Sequence, residues 1–179
     1  MLLTKVEIVR LSLLDITYAG ANLRDGDREE ILSQCPHGTT GSDAAAAMYQ
    51  GLHPEWSWCA RLDGNPACVF GFQPFNAATW IAWAYGTRHM GKVIPAVTRH
   101  CMAAAQGLID LGVRRVEVRT LKGHAAAQRW LKRLGCEPEC ELYDFGRDGE
   151  TFELWSWSLH RGHPLERIEY RVPICSQPA

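Results

Sequence analysis

Residues 78–85 read ATWIAWAY, an almost unbroken apolar run rich in aromatic side chains. It is far shorter than the roughly 20 residues a membrane span takes. A strand of this kind lies in the middle of a sheet with both faces covered. That requirement organises the rest of the chain, because its flanking segments must supply the neighbouring strands and the covering helices.

The segments alternate accordingly. Residues 4–10 (TKVEIVR) have the period of a strand, and Leu11, Leu14, Tyr18 and Leu23 follow at helical spacing. In RDGDREEILSQC, Asp27 and Glu30 stand three apart, the spacing of a capping box. A short helix is predicted from an N-capping Ser42 or Asp43 to Gly51. Strands are predicted at 56–63 and 66–72 around the Gly64-Asn65 turn, then at 78–85. A helix is predicted over 95–111, with Pro95 in its first turn, Ile94 extended before it and Gly112 at its end. Val97, Cys101, Ala104, Ala105 and Leu108 form its buried stripe. A strand at 113–120, a helix in GHAAAQRWLKRLG ending at Gly135, and strands at 140–145 and 151–159 complete one domain over 1–159. Residues 160–179 read as a C-terminal arm.

Composition narrows the function. The formal net charge is -1, which predicts no bulk attraction to nucleic acid. No stretch spans a membrane, and Lys5, Glu7 and Arg10 break the N-terminus where a signal peptide would be apolar. The expectation is a protein that is not secreted. Seven cysteines in apolar surroundings, such as Trp58-Cys59 and Ala67-Cys68-Val69, predict buried reduced thiols. Cys35-Pro-His37, Cys136-x-x-x-Cys140 and His160-x-x-His163 lack zinc-site spacing, so no metal is expected.

Two motifs carry a resemblance. The central strand leads into RHMGKV, with Arg88 and Gly91 at the positions of a Gln/Arg-x-x-Gly-x-Gly/Ala loop and Val93 at the small-residue position. The later helix has His124 at an Asn position, Ala127 at an Ala position, then Leu134-Gly135. With the element order, these resemble the GCN5-related N-acetyltransferase (GNAT) family. The resemblance implies an α/β (α+β) fold with a central mixed, mostly antiparallel sheet flanked by helices. It also implies acetyl-CoA as cofactor, its pyrophosphate held at a helix N-terminus by Arg88, Gly91, Lys92 and Val93. Arg129, with Lys122, Lys132 and Arg133 in a basic patch, would meet the ribose phosphate or an acidic partner. Candidate acid–base residues are Glu117, His124 and Tyr85, the histidine because its ordinary pKa is near neutral. Two positions depart from the family pattern. Leu131 falls where a thiolate-protonating Tyr is common, and a branched Val93 would crowd an approaching phosphate.

WCARLDGNPACVFGF, WIAWAYGT and RVEVRTLKGHAAAQRWLKRLG are further similar to bacteriophage GNAT-like proteins, including podophage internal virion proteins. That implies a virion-associated structural or accessory protein with a degenerate acyl-CoA site. Its partners would be other phage structural proteins or further copies of itself, and its location the host cytoplasm or the virion. The alternative is an active acetyl-CoA-dependent N-acetyltransferase acting on an amine of a protein or small molecule. An enzyme needs an open cleft between the strands at 78–85 and 113–120; a structural protein can fill it, for example with Met90 or Val93.

Overall fold

A computed structural model of the chain describes residues 4–162. In order these form β1 (Val6–Arg10), α1 (Leu13–Ala21), α2 (Asp25–Leu32), α3 (Gly41–Tyr49), β2 (Ser57–Leu62), β3 (Asn65–Pro74), β4 (Thr79–Gly86), α4 (Met90–Asp110), β5 (Arg115–Leu121), α5 (Ala125–Arg133), β6 (Glu137–Leu142) and β7 (Phe152–Ser158). Short 3-10 turns occupy Pro54–Trp56 and Leu159–Arg161. The C-terminal arm expected from residue 160 lies almost wholly outside the described residues.

The seven strands form one sheet in the order β1-β2-β3-β4-β5-β7-β6. Every neighbouring pair is antiparallel except β4 and β5. The apolar run 78–85 becomes β4 and takes the central place its composition requires. Its even-numbered side chains, Trp80, Ala82 and Ala84, pack with α4 and α5. Its odd-numbered Trp83 and Tyr85 pack with α1 and α3 on the other face. The stripe predicted for α4 is present, with Val97, Cys101, Ala105 and Leu108 buried.

Four local expectations change. α4 begins at Met90, five residues before Pro95. The first N–H groups of a helix have no intrahelical acceptor. Met90 and Lys92 instead donate to Thr87 O and His89 O, so the loop winds into helix early and Ile94 is helical. α3 is capped by Thr40, in a capping box with Asp43, rather than by Ser42 or Asp43. The final hairpin starts earlier than expected, with β6 at Glu137–Leu142. On α1 the buried face is Asp15, Ile16, Ala19 and Gly20, and Leu14 is left 79% exposed. Buried Asp15 receives Arg61 Nε and Nη2 at 2.8–3.0 Å, and this ion pair sets the rotation of the helix.

Candidate active site

β4 and β5 pair only over Thr79–Ile81 and Arg115–Glu117. Beyond Ile81 and Glu117 the two parallel strands diverge, leaving a V-shaped gap in the sheet. Thr87 N donates to Ala67 O at 3.0 Å, which fixes the alternation along β4. Tyr85 turns its backbone groups toward β3, and Ala84 and Gly86 turn theirs toward the gap.

α2 spans the open end of the V. On the β4 leg, Gly86 N donates to Asp27 Oδ2 at 2.7 Å, and Gly86 O accepts from Arg24 N at 3.0 Å. On the β5 leg, Glu30 Oε2 accepts from Leu121 N at 2.8 Å and from Thr120 Oγ1 at 2.6 Å. His124 lies between the two acids, Nδ1 3.0 Å from Glu30 Oε2 and Nε2 3.5 Å from Asp27 Oδ1. Asp27 and Glu30 therefore make no capping box. Their spacing puts both carboxylates on one face of α2, and that face is turned to the cleft. Gly26 completes the fit, because a Cβ there would lie 2.7 Å from His124 Nε2.

A cavity of about 600 Å³ runs through the gap and reaches both faces of the sheet. On the α4/α5 face its wall includes Met90, Gly91, Ile94, Ala127, Arg129 and Arg133. On the α1–α3 face it includes Arg24, Glu30, Ile31, Met48, Tyr85 and Arg119. Thr98 bridges the helices at the first face, its Oγ1 donating to Ile94 O at 2.7 Å and accepting from Trp130 Nε1 at 2.9 Å.

The residues singled out from sequence take different places. Tyr85 lines the cavity, is 4% exposed, and its hydroxyl has no hydrogen-bond partner among the described residues. Burial pushes its pKa well above the ordinary tyrosine value, so it keeps its proton at neutral pH. His124 lines the cavity, but both ring nitrogens face carboxylates. Glu117 is not part of the cavity wall. It sits where the strands still pair and is held by Arg115 Nε at 2.7 Å.

In the β4–α4 loop, Gly91 borders the cavity and a Cβ there would meet nothing within 4 Å. Arg88 and Lys92 are exposed beside it, outside the cavity wall. Val93 is fully buried in the core beneath α4, so it does not crowd the cleft as its branched shape suggested. Met90 is also buried, yet the gap stays open beside it. Of the basic patch, Arg129 and Arg133 face the cavity, Lys132 lies over Trp155, and Lys122 pairs with Glu141 at 2.7 Å.

Sequence reasoning passed over Asp27, Glu30 and Arg119. The first two were visible as an acidic pair at i, i+3, a spacing that serves a helix cap and a tertiary contact equally well. Among the described residues there is no metal-binding cluster, and no helix is long and apolar enough to cross a membrane.

No protein-family model and no curated protein sequence matches the chain. Solved structures do. An N-acetyltransferase from Staphylococcus aureus Mu50 superposes with a TM-score of 0.66 at 12% identity, over 87% of this chain and 99% of that one. The ribosomal-protein-S18-alanine N-acetyltransferase of Escherichia coli gives 0.57 at 14% identity, over 86% and 94%. The Salmonella typhimurium protein yncA, solved with its cofactor acetyl-CoA, gives 0.60 at 12% identity, over 86% and 94%. At these identities the likeness is one of fold. The chain has the GNAT acyltransferase fold, a mixed, mostly antiparallel sheet flanked by helices.

Proposed function

We propose that the chain is an acetyl-CoA-dependent N-acetyltransferase acting on a small amine. The observation that carries this reading is the cavity through the β4/β5 gap, with a helix N-terminus and two arginines on one face and an acid–tyrosine pair on the other. Met90 and Lys92 donate within the first turn, which leaves the Gly91 N–H, with the helix dipole of α4, to favour an anion there. Arg129 and Arg133 add positive charge at the same mouth. The gap-facing N–H and C=O of Ala84 offer a strand edge to an extended, amide-bearing arm. These features fit acetyl-CoA, which when bound supplies an acetyl thioester.

The protein's own groups then have distinct tasks. Glu30 Oε2 is committed to three donors, while Oε1 makes no hydrogen bond among the described residues. Oε1 takes the proton from the attacking amine. Tyr85 gives its proton to the departing sulfur as the carbon–sulfur bond breaks, a task that Leu131 cannot perform. His124 and Asp27 hold Glu30 and the two strands in place. A base and an acid of this kind each contribute about 10²- to 10⁴-fold.

The other reading, a virion-associated accessory protein, rests on the phrase-level likeness around RWLKRLG. Its contacts would fall on exposed apolar residues such as Leu13, Leu14 and Tyr18 of α1. The unfilled gap favours the enzyme. Calorimetry with acetyl-CoA tests the choice. Micromolar binding is expected, abolished in Gly91→Trp, whose side chain projects into open space at the cavity and leaves the fold intact. Absence of binding at millimolar acetyl-CoA would transfer support to the accessory reading.

A further inference from the structure

The α1–α3 face of the cavity has a chemistry of its own. Two arginines stand in its wall, Arg24 and Arg119. Arg24 pairs with Asp27, with Nη2 2.8 Å from Oδ1, and only its buried Nε is left without a partner among the described residues. Arg119 projects from β5 on the same side as Glu117. Its guanidinium makes no hydrogen bond or ion pair among the described residues and lies over the face of Phe145, 5.8 Å from the ring centroid. A half-buried guanidinium stacked on an aromatic ring, with its donors unused, is prepared for a planar anion.

Its position relative to Glu30 is fixed by β5. Glu30 is bound at Thr120 and Leu121, one and two residues beyond Arg119. Two strand residues span about 7 Å along the backbone. A guanidinium and a carboxylate oxygen, both without a partner among the described residues, thus stand in the wall of one cavity. Ile31, Met48 and Trp83 supply apolar wall between them.

The segment after α2, which lends Gln34 and Cys35 to the wall, is held from outside. The loop between β6 and β7 is fastened to the segment after α2: Arg147 N donates to Ser33 O at 2.7 Å, Arg147 Nη1 to Cys35 O at 3.1 Å, and His37 Nε2 lies 3.1 Å from Asp148 Oδ1. A cavity of about 600 Å³ with a fastened wall matches the volume of a small acceptor.

We infer that the acceptor is a small amino acid-like molecule with an apolar side chain, its carboxylate held by Arg119 while its amine faces Glu30. This rests on the acetyltransferase reading for the reaction, and on the chamber alone for binding.

The test separates the two. Binding of L-leucine and of 3-methylbutylamine, which lacks only the carboxylate, is measured by calorimetry without cofactor, for the native protein and Arg119→Gln. Acetyl-CoA binding is measured on the same samples, and melting curves confirm folding. The expected result is about 10- to 100-fold tighter binding of leucine by the native protein. Arg119→Gln should lose that preference, with 3-methylbutylamine and acetyl-CoA binding unchanged. L-phenylalanine and phenethylamine should repeat the pattern. Equal affinity for acid and amine, a preference that survives Arg119→Gln, or no binding of either acid at about 10 mM would overturn the inference. Loss of acetyl-CoA binding alone would overturn the acetyltransferase reading and leave this result standing.

Discussion

Asp27 and Glu30 show how much one carboxylate can be asked to do. Each accepts hydrogen bonds from cleft-edge backbone that would otherwise be unpaired, and an unpaired buried donor costs about 1–3 kcal/mol. Glu30 keeps one oxygen free for chemistry. Glu30→Gln retains an acceptor for Leu121 N but cannot take a proton. Its kcat/KM, followed by thiol release, should fall about 10²- to 10⁴-fold with little change in melting temperature. Full activity in this variant would remove Glu30 from the mechanism. Cysteine reactivity belongs to the same scale. Burial pushes the Cys59, Cys101 and Cys136 thiols up to about 12, whereas Cys140 is exposed. At pH 8 the buried three hold about one thiolate in 10⁴. Mass spectrometry of the folded protein treated with a maleimide should therefore find Cys140 labelled well before them.

Among the elements, the end of the sheet where β5, β6 and β7 meet is held by charge. Glu139 receives Arg115, Ser156 and Arg161, and the Arg115 hydrogen bond above all lowers its pKa from 4.5 to about 2. A carboxyl with a lowered folded pKa stabilises fully above its unfolded value and loses that stabilisation as pH falls through the folded one. The window is therefore pH 4.5 down to 2. Solvent around this partly exposed pair limits the effect to about 1–2 kcal/mol. Urea melts of Glu139→Gln should show a stability curve flatter than native across that window, with the two converging at its acid end. A parallel native and mutant pair would mean that the network contributes nothing. On the opposite face, Thr98→Val leaves Trp130 Nε1 without its acceptor and should cost about 1–2 kcal/mol by loosening α4 from α5.

At the scale of the whole molecule, the split between β4 and β5 leaves a cavity through the sheet that the core does not fill. A ligand that binds only the folded state adds about 2.7 kcal/mol at a hundredfold excess over its Kd. For a chain of this size that corresponds to a melting-temperature rise of about 5–10 °C. Saturating acetyl-CoA should produce that rise in the native protein and none in Gly91→Trp. A rise of equal size in both would place the binding elsewhere on the surface.

Features that depend on local periodicity could be read directly from the order of residues. An apolar run at 78–85 can be stable only between two covered faces, so the central strand, the helices around it and the position of the β4–α4 loop followed from the order of residues. Tyr85, Gly91 and Arg129 were legible as cavity residues because each lies where one element ends or one helix face turns. The remaining features depend on pairs distant in the chain. Whether Glu117 or Glu30 is free follows from which cation or backbone amide reaches it. Arg115 holds Glu117 from two residues away, whereas the groups that orient Glu30 lie 90, 91 and 94 residues away. The turn of α1 was settled likewise, by Arg61 drawing Asp15 inward against the apolar stripe. A carboxylate takes its role from its partners, and those partners are assembled by folding.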